Sequence, residues 1–228
     1  MKILAVETSG LSGSVAIAEN GHVLQQRVLC AEGRRHAQTL VSEAREVLNS
    51  HRLRPSDIDA VAVSIGPGSF TGLRVGVVFA KTFAWANQAR LIAIDTLQAA
   101  AQQCDSAIPF VTVISDAQRG EVFVNRYRCR SAEDIRMPVG EILILNVDEL
   151  ATVAQGTDPE VVTGPGLEKF VDRFPPPWQP APQTDWTPRA ATIAVLGTHA
   201  AHEQRFADPE TLEPLYLRRS YAEEKRPG

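Results

Sequence analysis

The order of apolar and polar positions along this chain divides it into alternating stretches and helical stretches. Residues 2 to 30 read as three strands, KILAVETS, SGSVAIAE and HVLQQRVLC, joined by a Ser/Gly turn and by Asn20-Gly21. An Asn-Gly pair accepts positive φ at both central positions of a tight turn, so an antiparallel opening meander is expected. From His36 to His51, Ala37, Leu40, Val41, Ala44, Val47 and Leu48 recur every three or four positions, as on one face of an amphipathic helix, and Pro55 stops it. IDAVAVSIGPGSFTG then runs from an apolar strand into a glycine-rich turn, and Leu73 to Gln88 reads as a second helix.

That second helix is apolar almost all the way round, through Leu73, Val75, Val77, Val78, Phe79, Ala80, Phe83, Ala84, Trp85 and Ala86. Such a helix needs cover on two sides. Two arrangements satisfy this: a central helix sandwiched inside one core, or a helix packed on its own sheet with its far side offered to a partner protein.

RLIAID (90–95) closes the first unit as a strand, and Thr96 is expected to cap a short helix through the alanines 99 to 101. Beyond it the pattern predicts strands at PFVTVIS, GEVFVNRYRC, VGEILIL and EVVTG, and a short helix over 147–154. FPPPWQPAPQTDWTP reads as an irregular, exposed loop. Thr187 and Pro188 open a last helix reaching about Glu203, ahead of an extended EPLYLRR tail. The expected division is an N-terminal lobe over 1–100 and a C-terminal lobe over 101–228, with the last helix, about 188–203, free to pack back on the first lobe.

Composition narrows the function. With 44% hydrophobic and 22% charged residues in 228, the chain is globular in character. Its net charge of −4 argues against binding nucleic acid unaided, which calls for a basic stripe. Arg34-Arg35, Arg52 with Arg54, and Arg218-Arg219 are small basic clusters that read either as solvated faces or as parts of an RNA surface shared with a partner. Cys30, Cys104 and Cys129 form no CxxC or Cys/His pattern, so a reducing, cytoplasmic setting is expected. MKILAVETSG lacks the features of a secretory leader, and no apolar run approaches the ~18 residues of a membrane helix.

The most informative stretch for chemistry is Gly66-Pro67-Gly68-Ser69-Phe70-Thr71-Gly72-Leu73-Arg74, placed between a strand and a helix start. Free amides and the helix dipole favour an anion there, and the Ser/Gly turn ETSGLSGS (7–14) reads either as a second phosphate-contacting turn or as a plain β-turn, so Thr8, Ser9, Gly66, Gly68 and Ser69 are candidate contacts for ATP or ADP at the lobe junction or at a partner interface. The alternative is that the glycines allow a tight turn and close packing, with Ser69 or Thr71 as helix cap. The P-loop spacing and the GxSxG frame are both absent. Glu7 is a lone carboxylate at a strand end. HEXXH is absent, His36 is followed four positions later by Leu40, and His199 with His202 lacks a third ligand, so no metal ligand and no catalytic residue is assigned.

Several pieces together carry a resemblance that spans essentially the whole chain. They are KILAVETS with SVAIAENG, the HAQTL helix start, GPGSFTGLRVG, SDAQRGEVF at 115–123, and Pro214-Leu215-Tyr216-Leu217-Arg218. In this order they resemble the TsaB (YeaZ) family of bacterial tRNA threonylcarbamoyladenosine biosynthesis. The resemblance implies an α/β, two-lobed actin/hexokinase-like (ASKHA) fold with ribonuclease H-like lobes. It also implies a non-catalytic subunit whose partners are the catalytic paralogue TsaD, which carries the metal-binding histidine pair, and the ATPase TsaE. TsaD transfers threonylcarbamoyl to N6 of adenosine 37 in tRNAs reading ANN codons, so this chain is expected to meet tRNA only through the complex.

The family pairs through two N-terminal-lobe helices, which map here onto 36–51 and 71–88. Leu40, Ala44, Val47, Leu73, Val77, Ala80 and Phe83 are therefore the expected interface residues, and a homodimer through the same surface is expected when the chain is alone. Glu7 stands where the family usually has aspartate, and Gln118 where an arginine is common. The competing readings are an independent metal- or nucleotide-dependent enzyme of the glycoprotease or sugar-kinase type, and a nucleotide-sensing regulator.

Overall fold

The structure is a computed structural model that describes residues 1–29, 36–131, 134–153, 160–174 and 176–217, without the side chains of 36–38 and 151–153. Cys30, Arg34, Arg35, Arg218 and Arg219, and the side chains of His36 and Ala37, lie outside the described residues.

The chain opens with β1 (Lys2–Glu7), β2 (Gly13–Glu19) and β3 (His22–Leu29), an antiparallel meander with Asn20 and Gly21 at positive φ in the second turn. It continues through α1 (His36–Ser50), β4 (Ala60–Gly66), α2 (Phe70–Asn87) and β5 (Arg90–Asp95). These strands form one sheet in the order β3-β2-β1-β4-β5, with β4 parallel to both β1 and β5. After α3 (Thr96–Gln102) come β6 (Phe110–Gln118), β7 (Glu121–Arg128), β8 (Met137–Pro138), β9 (Leu143–Asn146), α4 (Val147–Val153), β10 (Val161–Thr163), α5 (Leu167–Phe170), β11 (Gln179–Pro180) and α6 (Ala190–His202). The second sheet runs β11-β10-β6-β7-β8, and β9 also pairs with β7.

Strand alternation explains how the first sheet is covered on both faces. Successive side chains point to opposite faces, so Leu4, Val6, Val15, Ile17, Val61 and Val63 pack with α1 and α2, while Ala5, Ala16, Ala18, Ala60 and Ala62 pack with α6. The face of small residues brings α6 close. A Cβ added at Gly197 would stand 2.8 Å from the Ala62 methyl. The second sheet likewise buries Val111, Val113 and Tyr127 on one face and Ile114, Val122, Val124 and Val162 on the other.

Four local expectations differ from the structure. Asp95, rather than Thr96, caps α3, because its extended backbone lets Oδ1 accept the amides of Leu97 and Gln98. The last helix begins at Ala190, after Arg189. VGEILIL forms a strand only over Leu143–Asn146, since β8 and β9 share the same edge of β7. The proline-rich stretch is not simply exposed. Phe174 and Trp178 are buried with ring centroids 5.4 Å apart, and the Trp186 indole N–H donates to the Ala181 carbonyl, so aromatic burial pins this loop onto the second sheet. No described helix is long and apolar enough to cross a membrane.

Candidate partner-binding face and interlobe cleft

The two faces of α2 have different fates. Its inward stripe is Leu73, Val77, Ala80 and Ala84; the last three lie in the core between α1, α2 and the first sheet, and Leu73 is buried beside Gly66 at the edge of the cleft. Leu40, Ala44 and Val47 of α1 join the same core. Of the seven expected interface residues, Leu40, Ala44, Val47, Leu73, Val77 and Ala80 are at most 3% exposed. These side chains pack inward within the chain. Phe83 is half-buried, and Leu40 lies at the floor of the outer groove.

The outward stripe is a different set of residues. Val41, Val75, Val78, Phe79, Phe83 and Ala86 line an apolar groove of about 650 Å³ between α1 and α2, with Arg74 on its rim. Val41 is 65% exposed, Val78 62%, and Trp85, further along α2, 82%. Exposed apolar side chains clustered like this are unusual on a free-standing surface, which makes this face a candidate contact site. The signal that separates the faces was present in the sequence. Gly72 and Gly76 are one turn apart with Leu73 and Val77 beside them, and glycine marks the face that approaches its neighbour closely.

Those glycines meet the turn after β1. A Cβ at Gly72 would fall 1.9 Å from the Thr8 carbonyl oxygen, and one at Gly76 would fall 2.3 Å from Thr8 Oγ1. Each of the five candidate nucleotide contacts is engaged within the chain. The Thr8 hydroxyl donates to Gly72 O at 2.8 Å. Ser9 N–H donates to Glu7 Oε1 at 2.7 Å, and Ser9 O accepts from Ser69 N–H at 2.7 Å. Gly66 N–H donates to Thr96 Oγ1, Ser69 Oγ accepts from Gly72 N–H as the α2 cap, and Gly68 packs on Ser9, where its Cβ would fall 2.7 Å from the carbonyl oxygen. The close-packing reading of the glycine motif accounts for all five. Ser9, Gly68 and Ser69 also line the open cleft between the lobes.

The cleft between the lobes nevertheless has a volume of about 950 Å³, bounded by Ser9, Ser12 and Ser69 from the first lobe and by Ser115, Asp116 and Lys169 from the second. Lys169 Nζ and Asp116 Oδ2 pair at 3.0 Å within it. Glu7 lies behind the turn, fully buried. Its Oε1 accepts from Ser9 N–H and from the Ser64 hydroxyl, while Oε2 has no partner among the described residues, and burial pushes its carboxyl above the usual range. Across the lobe boundary, Asp95 Oδ2 accepts the Tyr127 hydroxyl at 2.9 Å. Burial raises the pKa of both groups. His199 faces Glu203 at 3.5 Å, Arg54 is paired with Asp57 at 2.7 Å, and Cys104 and Cys129 are buried free thiols. Among the described residues, no group of three or more His, Cys, Asp or Glu side chains gathers as metal ligands.

Two α/β lobes, each built on a sheet buried on both faces and meeting at a cleft, define the actin/hexokinase-like class of fold. A family model described as "TsaD: tRNA N6-adenosine threonylcarbamoyltransferase" matches residues 30–179. The chain is 27% identical over 229 residues to the tRNA threonylcarbamoyladenosine biosynthesis protein TsaB of Bacillus subtilis (strain 168), covering 99% of this chain and 97% of that protein. It superposes on YeaZ from Pseudomonas aeruginosa with a TM-score of 0.81 and 25% identity, covering 95% of this chain and 99% of the other. The tRNA N6-adenosine threonylcarbamoyltransferase of Streptococcus uberis is 35% identical over 131 residues, a match to 49% of this chain and 39% of that enzyme. The chain belongs to the TsaD family and, within it, to the TsaB (YeaZ) proteins.

Proposed function

We propose that the protein acts in tRNA threonylcarbamoyladenosine biosynthesis as a non-catalytic subunit that docks on a catalytic paralogue of the TsaD type. It supports threonylcarbamoyl transfer to N6 of adenosine 37 in tRNAs reading ANN codons. The observation that carries this reading is the apolar α1–α2 groove, with Val41 and Val78 more than 60% exposed on helices whose other face is already packed. A paralogue built on the same fold carries an equivalent helix pair, so the two grooves are suited to pack together, and a second copy of this chain fits the same face when the paralogue is absent. In this reading the ATPase TsaE joins the assembly, tRNA is met through the complex, and the setting is the cytoplasm. The net charge of −4 supports leaving tRNA to the partners.

Calorimetric titration of the paralogue with wild type and with Val78→Glu tests this. A buried unpaired carboxylate at an apolar contact is strongly unfavourable, so Val78→Glu is expected to abolish measurable binding while leaving the fold intact. Equal affinity of the two proteins overturns the groove as the docking face.

A further inference from the structure

The segment Glu213–Leu217 crosses from one lobe to the other over the cleft. Just before it, Leu212 packs against the core of the first lobe, and Lys81 Nζ donates to the carbonyls of Glu210 and Leu212 at 3.4 and 3.2 Å. Leu215 N–H donates to Ile65 O at 2.7 Å, at the end of β4. Gly66, at φ +117°, lies against it, and a Cβ there would come within 3.1 Å of the Leu215 carbonyl oxygen. Leu217 packs, partly buried, against the second-lobe cluster that contains Val111, Val113 and Tyr127. The segment is thus bonded to one lobe and packed against the other.

Its fourth residue, Tyr216, reaches toward the α1–α2 groove. The Tyr216 ring lies against Phe70, with centroids 4.9 Å apart, and its hydroxyl accepts from Arg74 Nε at 2.9 Å. The Arg74 guanidinium lies 3.9 Å above the Phe70 ring. Phe70 and Tyr216 border the cleft, whereas Arg74 borders the α1–α2 groove. An arginine side chain has many rotamers, and stacking on Phe70 with a bond to Tyr216 removes much of that freedom before any partner arrives.

We infer that docking in the α1–α2 groove and latching of the cleft by Leu215–Leu217 are positively coupled through Arg74. With the latch engaged, Arg74 is already ordered at the rim of the groove. A partner that rests on Arg74 in turn holds Tyr216, and with it the latch, in place. Such coupling is reciprocal, so whatever factor the latch adds to partner affinity, the partner returns to latch closure. The inference rests on the docking reading above, and its test separates the two.

The test is calorimetric titration of the TsaD-type paralogue with full-length wild type, Tyr216→Ala and Tyr216→Phe, together with hydrogen exchange at the Leu215 amide with and without the paralogue. Tyr216→Ala is expected to weaken binding about fivefold, at the lower end of ordinary coupling, although Tyr216 does not line the groove. Tyr216→Phe keeps the ring contact with Phe70 and loses the bond to Arg74, so its loss is smaller. The paralogue should slow exchange at Leu215 in wild type and do so less in Tyr216→Ala. Unchanged affinity in both variants, with exchange at Leu215 indifferent to the paralogue, overturns the coupling and leaves the docking face standing. Failure of wild type to bind at all overturns the docking face and the coupling with it. Should Tyr216→Ala not fold, unchanged affinity of Tyr216→Phe alone counts against the coupling.

Discussion

Glu7 sits at the end of β1 with one oxygen held by Ser9 and Ser64 and the other buried without a partner among the described residues. Desolvation raises its pKa, and the hydrogen bonds from Ser9 and Ser64 only partly oppose that. In the unfolded chain Glu7 loses its proton in the ordinary carboxylate range, whereas in the folded chain it keeps the proton to higher pH. The folded state therefore binds more protons between those two values, and stability falls as pH rises through that window. Glu7→Gln has no proton to lose there. Thermal melts at pH 5 and pH 8 should show a smaller decline for the variant than for wild type, and parallel declines would remove Glu7 as the cause. From the sequence, Glu7 was a carboxylate at a strand end and nothing more. What closed over it was legible only in part, because the bonds that bury it come from Ser9 and Ser64, and Ser64 lies 57 positions away.

For the elements, α2 shows why pattern reading stopped where it did. A helix apolar all round states that both sides are covered but not which side takes which neighbour. The structure assigns the stripe through Gly72, Leu73, Gly76, Val77, Ala80 and Ala84 to the sheet and leaves Val78, Trp85 and Ala86 outside. Leu73→Ala is accordingly a core truncation, expected to cost about 2–5 kcal/mol, whereas Val78→Glu, on the exposed face, should stay within about 0.5 kcal/mol of wild type. Denaturant unfolding of the two variants checks this contrast, and comparable losses would mean that the faces are assigned the wrong way round. The opening hairpin was legible because Asn20-Gly21 specifies its own turn. The cap of α3 was not, because Asp95 and Thr96 are both good capping residues, and only the backbone at the end of β5 selects between them.

Among the described residues, the two lobes are tied by devices that include α6 packed across the first sheet, the Asp95–Tyr127 bond between lobes, and the latch ending in Leu217. The two-lobed architecture could be anticipated from the order of strands and helices together with the motifs of the family. The packed course of the proline-rich loop could not, because proline content signals irregular backbone and says nothing of where Phe174 and Trp178 are buried. What the molecule presents outward is an apolar groove on one lobe, while the phosphate-site candidates of the cleft are engaged internally.

The proposed role as a docking subunit predicts that function appears only in company. Single-turnover threonylcarbamoyl transfer to unmodified tRNA, run with this chain alone, with the TsaD-type paralogue and TsaE, and with all three, tests this most directly. Transfer that requires this chain together with the paralogue, with none from this chain by itself, is the predicted result. Transfer by this chain without the paralogue would contradict it.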